Sequence, residues 1–118
     1  MQTKLLPVTP ESLALAGDLI RSGELVAFPT ETVYGLGANA LDAGAVKRIF
    51  EAKGRPGDNP LIVHISAIDQ LSPLIEGEPS PAARALMDAC WPGPMTLIFP
   101  NLNKYFLQLF QLNKSIIL

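Results

Sequence analysis

The first 100 residues predict an α/β or intermixed α+β domain with helices packed on a sheet, because helix-like and strand-like segments alternate and each is bounded by proline, glycine or a capping side chain. Thr9, Pro10 and Glu11 start the first helix: the hydroxyl caps free N–H groups, proline fits the first turn, and the acid suits the positive end of the dipole. Leu13, Ala16, Leu19 and Ile20 recur at helical spacing, and Gly23 closes the turn. Residues 25–28 are a short apolar run that reads as a buried strand stopped by Pro29. A loop is expected from Thr30 to about Ala40. Asp42 caps a second helix with the apolar stripe Val46, Ile49 and Phe50, and Gly54 ends it. After a loop enforced by Pro56, Gly57 and Pro60, residues 61–65 read as a strand with His64 on the opposite face from Val63 and Ile65. A short helix is expected over 67–75. Ser80 and Pro81 open a helix through Cys90, which Trp91-Pro92-Gly93-Pro94 breaks before a strand at 95–99.

Beyond Pro100 the texture changes: all 11 prolines, 9 glycines and 11 acidic residues precede residue 101. Leu102, Tyr105, Phe106, Leu109 and Phe110 fit one helical stripe, so one expectation is a C-terminal helix docked on the sheet. The other is an atypical tail, 101–118, attached to a domain part spanning 1–100. The net charge of −2 and pI near 5.2 give no global basic field for nucleic acid. Cys90 is the single cysteine, which excludes an internal disulfide and fits a reducing cytoplasm. The opening residues do not read as a signal peptide, and no stretch approaches the ~20 apolar residues that span a bilayer.

Three places carry residue types suited to chemistry. Pro29-Thr-Glu-Thr-Val-Tyr-Gly-Leu-Gly37 packs two hydroxyls, a carboxylate and a phenol just after a buried strand, where such sheets place ligands. Gly35 and Gly37 would allow close backbone approach to a ligand or positive φ; from these residues alone a plain glycine-containing turn is the favoured reading. The loose dinucleotide fingerprint at 35–40 lacks its strand-to-helix context, and no Walker A sequence occurs. Lys53-Gly-Arg55-Pro sets two cations about a glycine as a helix ends, followed by Asp58 and Asn59. Such cations suit a polyphosphate, with Arg55 as a bidentate fork and Lys53 as a point charge; alternatively Lys53 complements the helix dipole and Arg55 is solvated. His64, the lone histidine, is a packing residue or a ligand contact, and without a histidine or cysteine partner it builds no protein metal site. Trp91 to Thr96 walls a pocket or seals the core.

Pro29-Thr-Glu-Thr-Val-Tyr-Gly-Leu-Gly37, Lys53-Gly-Arg-Pro56, Asn59-Pro-Leu-Ile-Val-His64 and Trp91-Pro-Gly-Pro-Met-Thr-Leu97, in this order and spacing, resemble the YrdC family over about residues 8–100. The resemblance implies a twisted mixed β-sheet flanked by helices, incomplete here, because complete members continue with further strands and a Ser-x-Asn motif. It implies a nucleotidyltransferase that combines L-threonine, bicarbonate and ATP into threonylcarbamoyl-AMP and pyrophosphate for tRNA modification, magnesium arriving with ATP and a partner complex serving the tRNA. By motif, Thr32 and His64 fall at L-threonine-binding positions, Arg55 and Asn59 at ATP contacts, Lys53 beside Arg55 on the phosphates, and Thr30 and Tyr34 at pocket-shaping positions. A non-catalytic double-stranded RNA-binding or ribosome-maturation module and an inactive remnant are the rival expectations. Seven Lys and Arg against 11 Asp and Glu over residues 1–100 weigh against the RNA module.

Overall fold

The computed structural model describes residues 2–54 and 61–100, together with the backbone of 106–111. The chain divides into two compact units, Met1–Asn59 and Pro60–Leu118. Both mix helix with strand.

In the first unit, α1 (Pro10–Arg21) opens on a reciprocal cap: Thr9 Oγ1 accepts the Ser12 N–H and Ser12 Oγ accepts the Thr9 N–H, at 3.1 and 2.9 Å. The helix closes on Gly23, whose φ of 86° is open to glycine at little cost. α1 packs along β1 (Val26–Phe28), which pairs antiparallel with β2 (Gly35–Gly37) in the register Val26 with Gly37, Ala27 with Leu36 and Phe28 with Gly35. The loop expected over 30–40 therefore contains a strand. Glycines have poor strand propensity, and β2 forms because β1 supplies its hydrogen-bond partners. α2 (Ala43–Lys53) is capped by Asp42 Oδ1, which accepts the Gly44 and Ala45 N–H groups, and it ends on Gly54 in the left-handed region at φ 62°. Ala45 and Ile49 are its buried residues. Arg48 ties α2 to the turn after α1, donating to the Gly23 carbonyl at 2.9 Å and lying 3.6 Å from the Glu24 carboxylate.

In the second unit, β3 (Ile62–Ile65), β4 (Thr96–Pro100) and β5 (Phe106–Gln111) form a sheet in the order β3-β5-β4, with β5 parallel to β3 and antiparallel to β4. The sheet is mixed, as the resemblance implied. The helix expected from the 102–110 stripe is replaced by β5 over 106–111; Leu102 and Tyr105 lie outside the described residues. Leucines 107 and 109 also fit a two-residue period, and in the ladder Leu107 pairs with Phe99 and Leu109 with Leu97 and Val63. Pairing with β3 and β4 decides between the two periods.

The helix expected over 67–75 is also corrected, to a single 3-10 turn at Ile68–Gln70 followed by irregular turns. Gln70 Oε1 accepts the Ser66 and Ala67 N–H groups at 2.7 and 3.3 Å, and Pro73 has no N–H with which to continue a helix. α3 (Pro81–Cys90), capped by Ser80, contributes Met87 to a core of Ile65, Leu71, Ile75, Met87, Trp91 and Phe99. Trp91 seals this core while its Nε1–H donates to the Met95 carbonyl at 2.8 Å. Gly93 is required by space, since a Cβ there would stand 2.5 Å from the Cys90 carbonyl oxygen. The Pro100 carbonyl accepts the Glu76 N–H at 3.0 Å, fastening the turn segment to β4. No helix among the described residues is long and apolar enough to cross a membrane.

Candidate functional site

The hydroxyl-rich segment is the connection of the β1–β2 hairpin, so the end of β1 and the start of β2 hold its two ends. Thr30 organises its interior: Thr30 Oγ1 accepts the Thr32 N–H at 3.2 Å, donates to the Val33 carbonyl, and lies 3.4 Å from Thr32 Oγ1. The loop is thus folded on itself with its side chains turned outward. Thr30, Glu31 and Thr32 are exposed, and Tyr34 keeps 77% of its surface in water. A hydroxyl pair beside an open phenol offers donors and acceptors to a small polar ligand without first breaking a buried contact.

Gly35 and Gly37 have negative or extended φ, so positive φ is not what they supply. Their hydrogens face the Phe28 ring. A Cβ on Gly35 would lie 2.9 Å from Phe28 Cζ, and one on Gly37 would lie 3.0 Å from Cε1. Phe28 is the residue that reading the chain in order missed as part of this site; an aromatic ending one strand, followed by two glycines at strand spacing, is the signal that could have found it.

Lys53 is the last residue of α2 and is exposed. The helix end is already closed by Gly54, whose N–H reaches the Phe50 and Glu51 carbonyls, so the ammonium is not tied up in capping. Arg55 and Asn59 lie outside the described residues. His64 belongs to the second unit, on the face of β3 that it shares with Ile62, while Val63 and Ile65 turn inward as expected. Part of its ring is open to solvent by area, yet surrounding protein removes enough water to hold its pKa below 6.5. Neutral imidazole is therefore the prevailing form at pH 7, suited to hydrogen bonding more than to charge pairing. Thr30, Thr32 and Tyr34 are brought onto one loop of the first unit, which also carries Lys53. Among the described residues, no group of three His, Cys, Asp or Glu could hold a metal ion.

These units define a mixed helix-and-strand protein with an exposed hydroxyl loop on a hairpin and a cation at a helix end. The family model for Sua5, YciO and YrdC proteins, described as telomere recombination, matches residues 18–116, and the chain belongs to that family. A Pyrococcus abyssi protein named threonylcarbamoyl-AMP synthase is 61% identical over 89 residues, covering 75% of this chain and 26% of that protein. A Bacillus subtilis protein of the same name is 56% identical over 98 residues, covering 83% and 28%. The crystal structure of P. abyssi Sua5 complexed with L-threonine superposes with a TM-score of 0.78 at 47% identity, covering 90% of this chain and 34% of that one. The chain thus spans roughly a quarter to a third of the length of these relatives.

Proposed function

We propose that this chain carries part of the substrate site of a threonylcarbamoyl-AMP synthase, acting in the cytoplasm on L-threonine, bicarbonate and ATP to supply a tRNA-modifying transferase complex. The 61% identity to the P. abyssi synthase carries the reading. An 89-residue match in a chain of 118 cannot avoid residues 30–89, so it takes in Thr30, Thr32, Tyr34, Lys53, Arg55, Asn59 and His64.

In this reading Thr32 and His64 bind the amino acid, Thr30 and Tyr34 shape its pocket, and Lys53, Arg55 and Asn59 hold ATP. The reaction needs no protein nucleophile. Threonine and bicarbonate give an N-carboxylate with loss of water; its oxygen attacks the α-phosphorus, the bond to the β-phosphate oxygen breaks, and pyrophosphate leaves. The protein's part is to bring two anions together and to neutralise charge developing on the phosphates, which suits two cations on a short segment. Magnesium enters with ATP, bound chiefly by phosphate oxygens and water.

The test is pyrophosphate release by the chain in the presence of all three substrates. Release that requires L-threonine and falls in Thr32→Ala and Lys53→Met supports the assignment; release indifferent to threonine contradicts it.

A further inference from the structure

We propose that Phe28 is a positioning residue for the substrate loop: its ring, seated on Gly35 and Gly37, fixes where the chain leaves and re-enters the hairpin and so places the hydroxyls of Thr30 and Thr32. The inference rests on reading that loop as the amino-acid site. Phe28 pairs directly with Gly35, and Gly37 lies two residues on, hence on the same face of the ribbon. Ring atoms meet both glycines: Cζ and Cε2 would stand 2.9 and 3.0 Å from a Cβ on Gly35, and Cε1 3.0 Å from one on Gly37. The Thr30 bonds brace the middle of the loop only. Its ends are set by the spacing of β1 and β2, and the ring is the side chain that lies across that spacing.

The glycines are therefore demanded by the ring. Neither needs positive φ, so alanine would suit the backbone at both places and would if anything favour a strand. Among the described residues the close contacts at both places come from Phe28, and leucine in its place would withdraw the outer ring carbons.

The experiment measures L-threonine affinity, with ATP and magnesium present, for the wild-type chain, Gly35→Ala, Phe28→Leu and the double variant. Gly35→Ala should weaken threonine binding about tenfold or more, since loop hydroxyls misplaced by even an ångström lose their contacts. The double variant should recover to within about threefold of Phe28→Leu alone, the signature of two residues acting through one contact. A Gly35→Ala defect undiminished in the double variant would overturn the proposal, because the glycine would then be needed for itself. So would a Gly35→Ala variant that loses thermal stability but keeps its threonine affinity.

If the wild-type chain shows no response to L-threonine, the functional reading fails and the clasp is judged by NMR. Ring-current shifts on the Gly35 and Gly37 α-protons that vanish in Phe28→Leu, with the amides of residues 30–34 moving alongside, support it. Loop amides that stay put refute it.

Discussion

Replacing Lys53 by methionine separates two roles that one residue could fill. It removes the charge but keeps an unbranched side chain of good helix propensity. Lys53 stands at the last position of α2, where a cation complements the helix dipole by about 0.3–1 kcal/mol, less in salt. Gly54 closes the helix through its own N–H and left-handed backbone, so no hydrogen-bonded cap is lost with the ammonium. A charge-assisted contact to a phosphate is worth about 1.5–3 kcal/mol, or roughly ten- to a hundredfold in catalytic efficiency. Lys53→Met should therefore leave the urea stability of the chain within about 1 kcal/mol of wild type. The ATP-dependent efficiency of pyrophosphate release should fall by at least about tenfold, with L-threonine affinity largely kept. A variant that loses stability while its ATP dependence is unchanged would return Lys53 to the helix dipole and refute the phosphate role.

Three further outcomes follow from particular contacts. Trp91→Phe keeps most of the buried ring but removes the donor to the Met95 carbonyl, and should lower the denaturation free energy by about 1–3 kcal/mol; no change in urea midpoint would mean that water replaces the bond. Thr9→Ala removes the side-chain half of the α1 capping box and should cost about 0.5–2 kcal/mol in thermal unfolding, whereas Thr9→Ser should cost far less. His64, with its folded pKa below the unfolded value of 6.5, binds fewer protons folded than unfolded between those values. Stability should accordingly rise with pH across that window and be lost as pH falls through it, and His64→Gln should flatten this part of the profile; an identical profile in the variant would contradict the desolvation of the ring.

Much of this was legible because it is local. Thr9, Asp42 and Ser80 cap helices where the sequence placed them, since a hydroxyl or carboxylate needs only N–H groups two or three residues away. Gly54 ends α2 for a similar reason, φ being a property of one residue. What was missed depends on pairing with another strand, which no single segment shows by itself. Gly35-Leu36-Gly37 has no strand tendency of its own and becomes β2 only opposite β1, while the leucines and phenylalanines of 106–111 satisfy both periods until β3 and β4 choose one. In the proposed site, the hydroxyls, phenol and cation of Thr30, Thr32, Tyr34 and Lys53 stand in the sequence as residue types in order. The seat of Phe28 on two glycines could not, because it exists only once the hairpin has closed.

Whether residues 30–34 and His64 hold an amino acid is decided by an NMR titration of the chain with L-threonine in the presence of ATP and magnesium. Saturable shifts concentrated at residues 30–34 and at His64, weakened in Thr32→Ala, are the expected result. Shifts that are absent, fail to saturate, or spread evenly over the surface would contradict it.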